Sequence, residues 1–395
     1  MEALLGALGF HIMEATVGIH SRLLSFFSVS VDAYMFLFPE KTFAYGEIRP
    51  AVRRWEQEGK FPRVGELLVY GIYVGVSMSV IRYFLNRFIF QPFGSWMMKL
   101  KKIDNVDPVG ELDKLFETSK FLPKEQEFLL GQRTRLSVPQ MKSYLKTKRI
   151  ERLQKLRLWK YTESCWRLLL YTATTVYGVC YLWDKPWTWD VNEYWTGYPL
   201  QAVDPALRRY YFFEFGLYLN FFCFQFVDTR RKDFWEMFLH HAVTLGLLLF
   251  SYATNFTRIG GVVLCLHDAS DVFLESAKLL HYAKAARPAC GPPADLAFCL
   301  FALVFFAGRL AAYPARVLWA ALVGARTHFV LHASYYLWAG LLGALQLLHV
   351  YWFALICRLV KRFVVDGIEK DERSITESDV SGPEDGGGAG SKKEK

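Results

Sequence analysis

Apolar residues gather in seven runs of 18 to 23 positions, at 67–85, 166–183, 210–227, 234–252, 259–280, 295–314 and 334–356, which together hold 139 residues. A membrane span needs about 20 apolar residues, so each run predicts a transmembrane helix. None shows the alternation over about 10 residues that marks a membrane β-barrel strand. A soluble single-core enzyme, a fibrous protein and a mainly disordered chain are excluded as well. The expected fold class is therefore all-α, a polytopic membrane protein with about seven transmembrane helices. The run 67–85 would be the first of them. Residues 1–66 start apolar, but Glu14, His20, Arg22 and Asp32 interrupt them, which predicts a lumenal or interfacial segment. Glu2 stands where a signal peptide would carry positive charge, so no secretory leader is expected.

Composition changes this picture little: 53% of the 395 residues are apolar, and ordinary globular proteins are already about half apolar. Charge changes it more. Residues 86–165 carry 17 Lys/Arg against 9 Asp/Glu, and the tail 366–395 carries 5 against 9. A basic block between apolar runs reads as cytosolic, because positive loops stay inside. Seven spans then place the C-terminus in the cytosol. The cluster Arg230, Arg231 and Lys232 falls on the same side, as do Lys284 and Arg287. The six Lys/Arg within 39–66 fall on the lumenal side, against the rule, so an even number of spans stays open if 16–38 also insert. The 366–395 tail is rich in Gly, Ser and acidic residues, and disorder is expected there. It offers acid-directed phosphorylation sites at Ser374, Thr376 and Ser381. Its end, Lys392-Lys393-Glu394-Lys395, has the spacing of a dilysine retrieval signal for the endoplasmic reticulum membrane. The sequon at Asn255 lies in a short lumenal loop, too close to the membrane for a glycan. The seven cysteines are scattered without a C-x-x-C pair, so neither a disulfide framework nor a zinc site is implied.

Polar groups at membrane depth are costly and mark function by default. The fourth run carries His240 and His241. The fifth carries His267, Asp268, Ser270, Asp271, Glu275 and Lys278, and spacings of three and four put most of these on one helix face. At 1.5 Å per residue, His240 lies about 9 Å from the cytosolic end of its span and Asp271 about 13 Å from that of the next. Antiparallel neighbours can bring the two together. A carboxylate that fixes an imidazole tautomer leaves the free nitrogen a good base or nucleophile. Such groups suit acyl transfer. Plain interhelical hydrogen bonds and a proton-coupled transporter are the competing readings. His328 and His332 have helical metal-ligand spacing but fall near the other face, and nine histidines in all are too few for a membrane di-iron site. No metal is expected.

Residues 234–284 resemble the longevity-assurance motif of ceramide synthases, through Phe238-Leu239-His240-His241, Phe250-Ser251-Tyr252, Leu264-Cys265-Leu266-His267-Asp268, Asp271, Glu275, Ala277-Lys278 and Tyr282-Ala283-Lys284. The likeness extends to Arg309-Leu310 with Pro314, to Leu345-Gln346 with Tyr351-Trp352-Phe353, and to Lys370–Ser374. It implies that residues 161–362 form a TLC catalytic domain, six helices bundled around a lipid tunnel. The segment 104–160 is similar to a homeobox. Its stretch from Leu136 to Arg149 matches a recognition helix, but Thr147 stands where DNA-binding homeodomains carry Asn, so no nucleic-acid partner is expected. A structural or lipid-facing role, or a platform for acyl-CoA through Arg149, Arg152 and Lys155, is expected instead.

The resemblance implies N-acylation of a sphingoid long-chain base by a fatty acyl-CoA, with acyl-CoA as co-substrate and no other cofactor. His240 would be the covalent nucleophile, or alternatively a plain general base in a direct transfer, and Asp271 its orienting carboxylate, with His241 and Asp268 as further catalytic groups. His267, Ser270, Glu275 and Arg309 would line the site, and Arg230, Arg231 and Lys232 would hold the CoA head. Membrane lipids and a second copy, of this chain or of a relative, are the implied partners. A non-catalytic TLC lipid sensor is the alternative. Chain-length choice would lie in a loop at about 315–333.

Overall fold

The computed structural model describes residues 54–55, 57–101, 109–118, 126–228, 232–328 and 333–366. Among these the chain is helical and holds no strand. In chain order come α1 (Val64–Met97), two short helices α2 (Gly110–Thr118) and α3 (Glu127–Thr134), and then α4 (Val138–Leu182), α5 (Pro205–Phe224), α6 (Phe234–Ala253), α7 (Thr257–Lys284), α8 (Pro288–His328) and α9 (Ala333–Asp366). Each long helix covers one apolar run, short by three residues at most. Four of them, α1, α6, α8 and α9, are long and apolar enough to cross a membrane on those two properties alone. The other three, α4, α5 and α7, trade apolar residues for the buried polar groups described below.

Helix α4 has 45 residues, about 67 Å at the α-helical rise, far more than the roughly 30 Å of a bilayer core. It starts at a capping box in which the Ser137 N–H donates to Gln140 Oε1 at 2.8 Å. Its first turns close a small core with α2 and α3, built from Leu112, Leu115, Leu130, Met141, Tyr144 and Leu145. The Tyr144 hydroxyl donates to Asp113 Oδ1 at 2.7 Å, and the Val109 N–H donates to that hydroxyl. Thr147 turns its hydroxyl back on the Ser143 carbonyl.

Helix α1 lies against α5 at close range. Gly71 and Gly75, four apart, face Phe215 and Gly216, and a Cβ on Gly216 would stand 2.7 Å from the Gly71 carbonyl oxygen. Small residues at this spacing let two backbones touch. The two helices are also tied by Asn220, whose Nδ2 donates to Ser79 Oγ at 2.8 Å.

The expected loop at 315–333 is corrected by the structure: α8 continues to His328, through π-helical stretches at Phe306–Leu318 and Ala320–Gly324. Pro314 removes one backbone donor, and the wider π turns around it keep the helix winding. Val317, Ala320 and Ala321 are fully buried by the main core, which holds this extension in place. The expected lumenal segment 1–66 lies mostly outside the described residues, as do the end of the tail, its phosphorylation sites and its dilysine end. The sequon residue Asn255 is completely buried, and its Nδ2 donates to the Pro199 and Gln201 carbonyls at 3.0 and 2.8 Å. This burial is a stronger bar to glycan attachment than closeness to the membrane.

Candidate active site

The polar face of α7 meets four other helices. Asp268 is fully buried, and it accepts from Thr174 of α4 at Oδ2 (2.5 Å) and from the Tyr218 hydroxyl of α5 at Oδ1 (3.2 Å). Asp271 accepts from Arg309 Nη2 of α8 at 2.7 Å, and the same nitrogen donates to the His267 carbonyl at 2.8 Å. Ser270 donates to that carbonyl too. His267 donates from Nδ1 to the Val263 carbonyl at 2.6 Å, and its Nε2 stands 2.7 Å from His349 Nε2 of α9. These are dry contacts. Asp268, Ser270 and His349 are fully buried, and His267 and Arg309 nearly so. Each polar group must therefore find its partner inside the protein.

On α6 the two neighbouring histidines point apart. The His241 Nδ1–H donates to Gln225 Oε1 at 2.8 Å, while Gln225 Nε2 donates to the Phe234 carbonyl at 2.7 Å. One amide thus locks the α5–α6 turn to the His241 ring. His240 faces the other way. Its ring meets Trp352 of α9 edge-on at 5.2 Å and Tyr218 at 6.4 Å, and its Nδ1 has no hydrogen-bond partner. A buried imidazole held by aromatic walls, with a nitrogen left bare, suits nucleophilic attack better than structural bonding.

The sequence-based site is met unevenly. Contrary to expectation, Asp271 does not orient His240; its hydrogen-bonded partner is Arg309, and in this ion pair the arginine is buried and the carboxylate partly so. The carboxylate that shares a wall with His240 is Asp268, through Tyr218. Asp268, His267, Ser270, Asp271 and Arg309 form one connected cluster. Glu275 lies a turn further along α7 and pairs with Lys278 at 2.7 Å. Lys232 is exposed, and Arg230 and Arg231 lie outside the described residues. Sequence reasoning missed Thr174, Tyr218, Trp352 and above all His349. The signal for His349 was present, since it is a lone histidine four residues before the last tryptophan's neighbour Phe353 in an otherwise apolar run.

A narrow cavity opens from this cluster. His267, Tyr218 and Thr244 form its polar end. Leu247, Leu248, Val263, Leu264, Leu342 and Leu345 form its walls. Tyr211, Ser251 and Gly260 close the far end, where the Tyr211 hydroxyl bonds to Ser251 Oγ and to the Thr257 carbonyl. That hydroxyl lies on Gly260 so closely that a side chain there would collide with it. Along α7 the cavity spans seven residues, about 10 Å of helix. A slot polar at one end and apolar over its length fits a lipid chain with its reactive group at the polar end.

Comparison with known proteins gives the family. The TLC domain family model matches residues 160–358. Human ceramide synthase 5 is 43% identical over 222 residues, covering 56% of this chain and 55% of that protein; this match spans little more than half of the relative. Mouse ceramide synthase 4 is 36% identical over 315 residues, 79% of each chain. Ceramide synthase LOH2 of Arabidopsis thaliana is 33% identical over 228 residues, 56% of this chain and 75% of that one.

Proposed function

The chain belongs to the TLC-domain family of ceramide synthases, and on that premise we propose that it transfers a fatty acyl group from acyl-CoA to the amine of a sphingoid long-chain base. The observation that carries this reading is His240, a buried imidazole with an unpartnered Nδ1 that packs against Tyr218, a residue lining the apolar slot. In the proposed route the His240 imidazole attacks the thioester carbonyl. A C–N bond forms, the C–S bond breaks, and CoA leaves as the thiolate, which then takes up a proton. The amine, once deprotonated, attacks the acyl-imidazole; the new amide C–N bond forms as the bond to His240 breaks.

The remaining residues have supporting parts. Asp268, held by Thr174 and Tyr218, fixes the α4–α5–α7 wall. Arg309 and Asp271 neutralise each other and hold the His267 carbonyl. Lys232, with Arg230 and Arg231, would bind the CoA phosphates at the cytosolic mouth, while the acyl chain enters the slot. Residence in the endoplasmic reticulum membrane, retrieval through Lys392 and Lys393, and pairing with a second copy belong to the same proposal.

The experiment is to incubate purified protein with acyl-CoA alone and look for an acyl adduct on the peptide containing His240 by mass spectrometry. The expected result is an adduct that disappears when the sphingoid base is added. His240→Ala should carry none and should form ceramide at least ~10³-fold more slowly, the scale at which enzymes lose a nucleophile. An unmodified wild-type peptide would overturn the covalent route. Equal ceramide formation by the variant would overturn the role of His240.

A further inference from the structure

The proposed reaction leaves one proton unplaced. A sphingoid amine is an ammonium ion in water, and it must lose a proton before it can attack an acyl group. Among the described residues, the geometry points to the pair His267 and His349 as its acceptor, and this inference rests on the acyl-transfer reading above.

The hydrogen bonds of the pair fix where its protons lie. His267 Nδ1 faces a carbonyl oxygen, that of Val263, at 2.6 Å, so it carries a proton. In the neutral ring Nε2 is then a bare lone pair. His349 Nε2 lies 2.7 Å from that lone pair and must supply the proton between them. His349 Nδ1 is left bare, and it is buried with no hydrogen-bond partner. The pair therefore has one vacant acceptor, on the fully buried His349, while His267 is the member that lines the cavity. The rings are also held in place. Tyr313 meets His267 edge-on at 5.6 Å and His349 at 5.0 Å, and its own hydroxyl donates to the Leu342 carbonyl.

The α9 helix links this acceptor to the nucleophile. His349 and Trp352 are three residues apart and so share a face. His349 lies tilted against His267 with ring centres 4.7 Å apart, while Trp352 walls His240. We propose that the proton of the substrate ammonium passes to His349 Nδ1 while the His349 Nε2 proton shifts to His267 Nε2. The charge then rests on His267, whose two N–H groups donate to Val263 and to His349. The titratable and charged groups facing the pair are Arg309 and Tyr313 from α8, His240 from α6, Asp271 from α7 itself and Tyr218 from α5 across the cavity. Arg309 is held by Asp271, so its charge is offset locally.

The test compares His349→Gln and His349→Leu with the full-length wild type in detergent or proteoliposomes. Glutamine can still donate to His267 Nε2 but cannot accept a proton. His349→Gln should acylate at His240 within about twofold of wild type, yet form ceramide ~10²-fold more slowly, the usual scale for a lost general base. Its rate should climb towards wild type as pH rises, because solution then deprotonates the amine, while the wild type stays flat. His349→Leu should be slower than His349→Gln at neutral pH, because His267 Nε2 also loses its donor, and should recover less as pH rises. Unchanged ceramide formation by His349→Gln would overturn the proposal. So would equal losses in acylation and transfer with a pH profile parallel to wild type, the outcome of a merely structural role. Should the wild type show no adduct on His240, the covalent route falls, and the pH profile of His349→Gln still decides this inference.

Discussion

The two halves of α4 face different solvents. Near its start, Lys155 pairs with Glu151 at 2.6 Å, yet their side chains keep 75% and 36% of their exposure. Forty residues span the distance from the capping box to Thr174–Gly178, where the same helix buries Thr174 and sends its hydroxyl to Asp268 at 2.5 Å. In the first half water can replace either partner, so an ion pair contributes about 0–1 kcal/mol. In the second half nothing replaces a lost partner, and its absence costs the full desolvation of the group left behind. Equal distances thus mean unequal energies, and the active-site cluster lies wholly on the dry side.

Arg309 tests the contrast most severely. Arg309→Ala leaves Asp271 without its ion-pair partner and Ser270 as the remaining side-chain donor to the His267 carbonyl, and the expected loss is about 3 kcal/mol of stability in detergent. Arg309→Met combined with Asp271→Leu should recover most of that loss, because both charges are removed together. Thermal or denaturant unfolding of the three proteins measures it. A loss under 1 kcal/mol for Arg309→Ala would mean that water reaches the cluster. Thr174→Val comes next. It keeps the shape of the side chain but strands Asp268 Oδ2, and the expected cost is about 1–3 kcal/mol. Ceramide formation should fall with it, since Asp268 anchors the Tyr218 wall beside His240.

Much of this was readable from the sequence, for identifiable reasons. Apolar runs report burial or lipid contact directly, so the existence of each long helix was readable, while α1, α4, α8 and α9 extend ten or more residues beyond their runs. Charged residues inside such runs are rare enough that the α7 stripe stood out before any contact was known. Pairing was not readable. Asp271 could have met His240 by depth alone; the structure gives it to Arg309, 38 residues on, because α8 packs on that face of α7. His349 was passed over since one imidazole in an apolar run looks the same whether it bonds to a backbone carbonyl or to another histidine. The extension of α8 past Pro314 was hidden because the family resemblance led to a loop at about 315–333, and π turns carry the helix past the proline.

Lys148 gives the finest test, on the wet side. Its ammonium lies 3.3 Å from Asp113 Oδ1 and over the Tyr144 ring at 5.5 Å. Its slight burial works against the charge, but the bond to the Asp113 carboxylate and the nearby Tyr144 hydroxyl outweigh it and hold Lys148 above the usual lysine value. A folded value raised in this way adds stability that is fully present below the unfolded value, about 10.4, and is lost as pH rises through the folded one. The α2–α3–α4 unit should therefore lose a small increment above about pH 10.4. Lys148→Met lacks the increment at every pH, so the difference between wild type and variant should be constant up to that point and shrink beyond it. Denaturant midpoints at several pH values measure that difference. A gap that stays constant through that range would mean that Lys148 contributes through packing of its alkyl stem and not through its charge.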